Sequence, residues 1–478
     1  SSNNTAVGFE ALNENTTGTQ NTCAGYKALT LTTTGSYNSS LGGGALQSNT
    51  TGARNVAMGI NALYSNTTAD NNTAIGGNAL GSTTTGENNT AVGRNALTSN
   101  TTGGYNTAVG MESLENNTTG RNASFGYRSL RTVTTGMNNT ACGDHALNAC
   151  TGDFNTAVGH AAMQQSSSIE GNTAVGCRAM ENTSTGDQNV GIGASALNTN
   201  TTGENNTAVG FHAMLASTTG SHNTAVGMYA LDANTTGYSN VAIGKESLSA
   251  NTTGHRNVAI GLDAMLVSNG TYNVAVGSYA LDANTTGGSN VAVGMHALGA
   301  NTTGEVNVAL GYGALSTNTT ESYNTAVGVS ALENVDAARN TAVGYQASLS
   351  ATTGVGNCSV GHKAGRNTTT GDYNVAMGDQ ALESGTTGDK NIAIGGFALH
   401  DSTTTAQNVA IGYNAMGAST TATRSVAIGY YALDAANSGA RNTAVGWQAM
   451  TANTTGQYNT GIGDAALEQN STGQYNTA

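Results

Sequence analysis

The sequence predicts an all-β protein, a parallel β-solenoid or β-roll of about 28 coils, each of 17 or occasionally 16 residues. Three observations predict this fold. A pentapeptide of the type Asn-Thr-Ala-Val-Gly recurs throughout the 478 residues, and its glycine returns every 17 residues, with four intervals of 16. The composition is that of a fibrous or solenoid chain, with 66 glycines, no proline and 9% charged residues. Finally, a 17-residue period is too short for helical hairpin repeats, which need about 33 residues or more.

Each position of the repeat accepts few residue types. We number positions from the repeated glycine, which is position 0. Position −4 is asparagine in every coil except at Ser425, and position −3 is mostly Thr or Val. Position −2 is always Ala, Gly, Ser or Cys, and position −1 is nearly always a larger apolar residue. Position +3 is Ala or Ser, position +4 is nearly always Leu or Met, and an Asn-Thr-Thr-Gly turn follows. Positions +1, +2, +5 and +6 vary freely, so specific binding is expected there.

These positions predict the parts of one coil. We expect two strands of about five residues, two turns, and neighbouring coils paired about 4.8 Å apart, giving an elongated rod roughly 130 Å long. The 16-residue coils should lose their residue in a turn, because a slip within a strand would turn every side chain to the other face. The glycine of Thr-Thr-Gly is expected to have a positive φ. The asparagines at −4 should form a side-chain amide ladder at one corner; they include Asn4, Asn21, Asn38, Asn55, Asn72, Asn206, Asn223, Asn240 and Asn257.

The alternation of side chains along a strand predicts which positions face the interior. We expect the residues at −3 and −1 to point into the coil, and the Asn, Ala and Gly positions to point outward. Since a free surface would accept large polar residues at −2, the small residues there predict a packing face for another copy, represented by Ala208, Ala225, Ala242 and Ala259. The partner is then the protein itself, in a homo-oligomer, expected to be a trimer, or in a filament. The alternative is that small residues only let the two walls of one coil approach each other.

Charge and composition limit the other partners. The net charge of −13 is spread thinly, without the basic clusters that bind nucleic acid, and no run of 18 apolar residues could span a membrane. The five cysteines form no CxxC pair and the eight histidines share no position, so we expect no disulfide framework, metal or other cofactor. Residues 1–478 begin and end within the repeat, without visible caps, and are interpreted as one continuous repeat domain cut from a longer protein.

Three pentapeptides match a known family closely: Asn240-Val-Ala-Ile-Gly244, Asn257-Val-Ala-Ile-Gly261 and Asn408-Val-Ala-Ile-Gly412. With the two variable residues, the alanine and the later glycine turn, they resemble the head repeats of YadA-like trimeric autotransporter adhesins. The resemblance covers essentially the whole chain and implies a left-handed parallel β-roll trimer on a bacterial surface. The 17-residue period is longer than the family's usual repeat. The Asn-Thr-Ala-Val-Gly pattern also resembles repeats in tail-fibre-like proteins of phages and large viruses.

Two surface features supply candidate binding residues. Aromatic residues at the variable positions could stack on sugars or receptors; they include Tyr26, Tyr127, Phe211, Tyr229, Tyr345, Tyr413, Tyr430 and Trp447. Asn-x-Thr sequons in the turns would be glycosylation sites only in a eukaryotic secretory protein; they include Asn15, Asn49, Asn66, Asn100, Asn234, Asn251 and Asn301. In a bacterium or phage the same sequons are interpreted as turn chemistry.

No nucleophile, acid–base pair or metal cluster stands out in the sequence. We therefore expect a non-enzymatic, extracellular fibre or adhesin shaft on a cell or virion surface, with multivalent weak contacts to cell-surface glycans or matrix. The alternatives are a carbohydrate-binding solenoid and a filament subunit that polymerises end to end. An ice-binding solenoid is a weaker alternative, because it needs an exposed Thr array and the Thr at −3 is expected to face inward.

Overall fold

The computed structural model describes residues 2–435 and 438–478 and has the predicted fold class, a parallel β-solenoid. The chain forms two compact units, Ser1–Ser239 and Asn240–Ala478, here called unit 1 and unit 2. Each unit contains 14 strands of three residues, and no described residue lies in a helix. Each strand spans positions −3 to −1 of its coil.

The strands of unit 1 are β1 Thr5–Val7, β2 Thr22–Ala24, β3 Ser39–Leu41, β4 Val56–Met58, β5 Thr73–Ile75, β6 Thr90–Val92, β7 Thr107–Val109, β8 Ala123–Phe125, β9 Thr140–Cys142, β10 Thr156–Val158, β11 Thr173–Val175, β12 Val190–Ile192, β13 Thr207–Val209 and β14 Thr224–Val226. Those of unit 2 are β15 Val241–Ile243, β16 Val258–Ile260, β17 Val274–Val276, β18 Val291–Val293, β19 Val308–Leu310, β20 Thr325–Val327, β21 Thr341–Val343, β22 Cys358–Val360, β23 Val375–Met377, β24 Ile392–Ile394, β25 Val409–Ile411, β26 Val426–Ile428, β27 Thr443–Val445 and β28 Thr460–Ile462.

Within each unit, every strand pairs in parallel with the next one in sequence. The strand register is the same across the 16-residue intervals. For example, Thr107 pairs with Ala123, 16 residues later. The residue is lost in the turn: Asn106 Nδ2 donates to the carbonyl of Thr119, 13 residues on, whereas Asn89 reaches Gly103, 14 residues on. The prediction that a turn absorbs the deletion is confirmed.

The prediction of two strands per coil is wrong, because the second wall has a different backbone. Positions +2, +4 and −5 repeatedly have positive φ, as at Lys27 (56°), Leu29 (54°) and Gln20 (57°). These residues still bond to neighbouring coils, since Lys27 N–H donates to the Phe9 carbonyl and Leu29 N–H to the Ala45 carbonyl. The left-handed region is unfavourable for leucine. Coil-to-coil hydrogen bonds and full burial of the leucine hold it there.

The predicted assignment of faces is also wrong. Position −2 is buried in the coil, and Ala208, Ala225, Ala242 and Ala259 have no exposed surface. In every strand from β2 to β28 the residue at −2 is buried, and the residues at −3 and −1 lie outside, exposed or half-buried. In β1 all three residues are exposed. The small residues let the two walls of one coil approach, which was the alternative interpretation.

The reason is the narrow space between the walls. At Gly191, a position −2 that lacks a side chain, a Cβ would lie 2.8 Å from Met180 Cγ of the opposite wall. Position −2 therefore packs against position +4, and only a small side chain fits between strand and wall. Valine and isoleucine are too large for position −2, and in the strands they occupy the outer positions −3 and −1.

The asparagines at −4 form a ladder inside the corner of the coil. Asn21, Asn38, Asn55, Asn72, Asn206, Asn223, Asn240 and Asn257 are fully buried, and Asn4 is half-buried. Asn38 is typical: its N–H donates to Asn21 Oδ1 (3.0 Å), its Oδ1 accepts from the N–H of Asn55 (3.0 Å), and its Nδ2 donates to the Gly52 carbonyl (2.9 Å). The side chains thus satisfy backbone groups of the neighbouring coil that would otherwise be buried without partners.

The glycines at position 0 allow a close approach between coils. Gly93 has a φ of +135°, and a Cβ there would lie 2.4 Å from the Gly110 carbonyl oxygen.

The glycine of Thr-Thr-Gly has a different role, and the prediction that its φ is positive is wrong. At Gly86 the φ is not positive; the positive φ belongs to Asn88, two residues later. Glycine is needed at 86 because a Cβ would lie 2.4 Å from the Gly103 carbonyl oxygen.

Candidate binding faces

One exposed surface is formed by the outer side of the strands, at positions −3 and −1; we call it the strand face. No charged residue occupies either position in any of the 28 strands. In unit 2, both positions are aliphatic in five consecutive coils, from Val241 to Leu310, and in four more, from Val375 to Ile428. Large apolar side chains are partly in solvent there, as with Val293, which is 37% exposed. Extended exposed apolar surfaces are a common feature of interaction sites.

The strand face of unit 1 has a different composition. Position −3 is threonine in 10 of its 14 coils, whereas unit 2 has threonine in four. Each of these threonines in unit 1 is exposed or half-buried; they are Thr5, Thr22, Thr73, Thr90, Thr107, Thr140, Thr156, Thr173, Thr207 and Thr224. The expectation that Thr at −3 faces inward is therefore wrong. Hydroxyl groups alternate with Val or Ile methyl groups on a surface that repeats once per coil.

A second exposed surface is formed by positions +1 and +2; we call it the variable face. It carries the predicted aromatic residues. Phe211, Tyr345, Tyr413, Tyr430 and Trp447 are exposed, and Tyr127 and Tyr229 are half-buried.

Most of these rings contact a ring one coil away. Tyr345 stacks on His362, with centroids 5.7 Å apart, and Tyr413 stacks on Tyr430 at 5.5 Å. Phe211 meets Tyr229 edge to face at 5.6 Å. Rings that stack along the coils cover each other's faces, so they form short stacks and not a continuous flat aromatic surface. A sugar can pack only on the free ring face at the end of such a stack.

Charged side chains at the variable positions +2, +5 and +6 contact each other, mostly across neighbouring coils. Glu112 accepts a hydrogen bond from Arg128 Nε (2.8 Å), and this bond lowers the pKa of its carboxyl group. His400 lies between Asp401 (2.7 Å from Nδ1) and Glu383 (3.2 Å from Nε2). Burial raises the pKa of Asp434 to about 6. The Glu112–Arg128 contact is an ion pair between neighbouring coils, and surface pairs of this kind contribute little to stability.

The sequon asparagines lie inside the turns. Asn49, Asn66, Asn100, Asn234, Asn251 and Asn301 are fully buried, and Asn15 is half-buried. Their Nδ2 groups bond locally, as Asn100 Nδ2 donates to the Gly103 carbonyl at 2.9 Å. Because a glycan would have to replace a hydrogen of that buried amide nitrogen, it could not be accommodated in the folded turn. The turn-chemistry interpretation fits this geometry.

The cysteines are unpaired; Cys142 and Cys177 are exposed, Cys23 and Cys150 are buried, and Cys358 is half-buried. Burial raises the pKa of the Cys150 thiol to about 11. Over residues 2–435 and 438–478, no three His, Cys, Asp or Glu side chains are gathered where they could hold a metal ion. The same residues include no helix long and apolar enough to cross a lipid bilayer.

The sequence signal for the strand face was present but was assigned to the wrong side. Position −1 stays apolar in all 28 coils although it is solvent-facing, so burial inside the coil does not explain its composition. No protein-family model and no curated protein sequence matches this chain.

Proposed function

We propose that the protein is a non-enzymatic, extracellular structural shaft that self-associates through its strand face. The observation that carries this proposal is the exposed, uncharged and largely aliphatic surface at positions −3 and −1 of unit 2. A solvent-exposed surface of a solitary protein accumulates charged residues, whereas this one excludes them. The partner is thus expected at the strand face and not at the buried alanines.

The dimensions favour a second copy as the occupant. Fourteen coils spaced about 4.8 Å apart make a strand face roughly 65 Å long and roughly 10 Å wide. The resulting area, of the order of 700 Å² per copy, is near the ~800 Å² that each partner contributes to a standard interface. A second copy has the same coil spacing, so its side chains meet this face in register along its whole length.

A closed ring of copies about a common axis would hide the strand face of every copy at once. This arrangement is the one implied by the resemblance to YadA-like trimeric heads, and a trimer is our preferred assembly. An assembled shaft on a cell or virion surface would hold its variable faces outward. Weak contacts repeated along those faces would then add through effective concentration.

Charge placed on the strand face should prevent self-association. We expect Val293→Lys to shift the wild-type oligomer towards monomer, because assembly would bury an unpaired ammonium group. The matched control is Met295→Lys, since Met295 is similarly exposed (43% against 37%) but lies on the variable face. Sedimentation velocity and light scattering would measure the mass of each variant.

A monomeric wild-type protein would contradict the proposal, and so would equal effects of the two lysines.

Oxidation gives a second check, because Cys142 is free, exposed and at position −1 of β9. In a parallel assembly, copies should become linked through Cys142, and Cys142→Ser should abolish that link. Electron microscopy distinguishes a shaft of fixed length from a filament that polymerises end to end.

Ice binding is a second candidate, favoured by the outward-facing threonines of unit 1. A flat, uncharged array in which a Thr and an aliphatic side chain repeat once per coil can order water in a repeating pattern. We expect thermal hysteresis in the wild-type protein and its loss in Thr90→Lys/Thr107→Lys. The control is Thr85→Lys/Thr102→Lys, because these exposed threonines lie in the turns and not on the strand face. Absence of hysteresis in the wild type would eliminate this function.

A further inference from the structure

Glycine at a variable position opens a notch in the wall of side chains. In unit 1, Gly43 and Gly44 occupy positions +1 and +2 of one coil. A cavity of about 690 Å³ opens there; its other lining residues are Tyr26, Lys27, Gln47, Ile60, Asn61 and Tyr64. At Gly43 a Cβ would meet only a backbone oxygen, at 3.9 Å, so the notch exists because that side chain is missing.

One wall of the notch is the free face of a stacked ring. Tyr26 stacks on Phe9 of the preceding coil, with centroids 5.6 Å apart and planes inclined by 10°. Phe9 therefore covers one face of Tyr26, and the opposite face is directed towards the next coil, where position +1 is Gly43. Tyr26 is 58% exposed. Position +1 is filled again by Ile60, two coils beyond Tyr26, so the gap is about 9.6 Å from coil to coil.

Amide and hydroxyl groups surround this ring face. A Cβ on Gly44 would lie 2.6 Å from Asn61 Oδ1 and 3.5 Å from Gln47 Oε1, so both amides reach the floor of the notch. Lys27 Nζ lies 5.5 Å from the Tyr26 ring centroid. The Tyr64 side chain lines the far side. A wholly apolar ligand would bury these groups without hydrogen bonds, at a cost in free energy.

Unit 2 contains the same construction. Tyr279 stacks on His296 at 5.1 Å with planes inclined by 8°, and the same position in the next coil is Gly313. A cavity of about 400 Å³ opens beside the free face of His296, with the carboxyl groups of Asp282 and Glu333 in its lining. A stacked pair next to a glycine, with a cavity beyond it, is thus found in both units.

We propose that the notches at Gly43 and Gly313 each bind one pyranose unit of a glycan. A pyranose has an apolar C–H face that packs on an aromatic ring and a rim of hydroxyl groups that bond to amides or carboxylates. One sugar ring fits the opening left by a single missing side chain. The variable face is separate from the strand face, so this inference does not rest on self-association.

The test uses the whole protein and β-linked hexasaccharides of glucose, galactose and N-acetylglucosamine as probes, with calorimetry as the readout. We expect two sites per chain for at least one probe. Gly43→Leu should leave one site, because the leucine fills the notch. Gly77→Leu is the matched control at position +1. A Cβ there also meets only a backbone oxygen at 3.9 Å, but the residue at position +1 of the preceding coil is Ile60, which has no ring. Gly313→Asn should remove the second site. The backbone at position +2 accommodates asparagine, as Asn61 at the same position of another coil shows.

Tyr26→Leu keeps an apolar side chain but removes the ring, and should weaken the unit 1 site roughly tenfold. The folding of each variant would be checked by circular dichroism. Two results overturn the proposal: no heat of binding with any of the three probes, or the same site number in Gly43→Leu as in Gly77→Leu.

Discussion

Replacing Gly76 with alanine should destabilise its coil by about 3 kcal/mol or more, whereas the same change at the adjacent Gly77 should be nearly neutral. Gly76 is at position 0, with a φ of +132°, and a Cβ there would lie 2.6 Å from the carbonyl oxygen of Gly93. Alanine at this position both adopts an unfavourable φ and pushes two coils apart. Gly77 has open space and no positive φ, so a Cβ there meets no strain.

The effect of Gly76→Ala should be local. A solenoid is stabilised by contacts between neighbouring coils, so a defect in one coil separates the array into two shorter ones. Hydrogen exchange is therefore the appropriate measurement. The N–H of Gly93 donates to the Ile75 carbonyl at 2.7 Å, across the affected junction. Its exchange should accelerate roughly a hundredfold in Gly76→Ala, in keeping with about 3 kcal/mol.

Two outcomes would contradict this account of the glycine. Equal exchange rates in Gly76→Ala and Gly77→Ala would show that the close approach between coils is not limiting. Uniform acceleration in coils far from residue 76, without a local maximum, would show that the unit unfolds as a whole and not junction by junction.

The sequence was sufficient for the fold class because the repeat constrains the backbone directly. A glycine every 17 residues, always after a short apolar segment, requires each coil to place the same backbone atoms against the next coil. The strand at positions −3 to −1 and the deletion in the turn both follow from that regularity. The second wall could not be predicted from strand propensity, because residues such as Leu29 adopt positive φ there.

The sequence was misinterpreted on which side of the strand is the interior. Apolar character was taken to indicate burial, but opposite the Leu or Met at +4 there is room only for a small side chain, at position −2. Covariation within a coil carried the correct signal. Ser348 and Ser359 are at positions that are normally Leu and Ala, and their hydroxyl oxygens are 2.7 Å apart inside the coil. Likewise, Gly191 faces Met180 and Gly461 faces Met450. Positions −2 and +4 therefore lie opposite each other.

The variable positions were correctly identified as the place for side-chain diversity, yet the notches were missed. A search for exposed aromatic residues finds Tyr413 and Tyr430, whose faces cover each other. It does not reveal that a ring face is useful only where the next coil lacks a side chain, as beyond Tyr26. That property depends on three coils at once and on ring orientation, which a sequence alone does not specify.

Replacing Asn89 with aspartate should be as damaging as the glycine change, although only an amide nitrogen is replaced by oxygen. Asn89 is fully buried; its Nδ2 donates to the Gly103 carbonyl at 2.9 Å, and its Oδ1 accepts from the N–H of Asn106 at 2.9 Å. A carboxylate would place a negative charge against the Gly103 oxygen, with no water to solvate it. We expect a loss of about 3 kcal/mol or more at neutral pH.

The pH dependence of this variant has a defined sign. Burial and the facing carbonyl both favour the neutral acid, which can donate to Gly103, so the pKa of the new carboxyl group should be higher folded than unfolded. The folded chain then binds the proton more tightly, and the variant's deficit should be smallest below about pH 4, growing as the pH rises. Asn88→Asp, at the adjacent half-buried residue, should change stability by less than about 0.5 kcal/mol.

A serine at the same place separates the two functions of the amide. Serine occupies position −4 naturally at Ser425, where its Oγ accepts from the N–H of Asn442 at 3.1 Å. Asn89→Ser should therefore keep the acceptor and lose only the donor to Gly103, with an intermediate loss of about 1–2 kcal/mol. Hydrogen exchange at Asn106 N–H would measure all three variants. An Asn89→Asp variant that matches Asn88→Asp at pH 7 would show that the ladder does not stabilise the coils, and that backbone pairing alone holds them together.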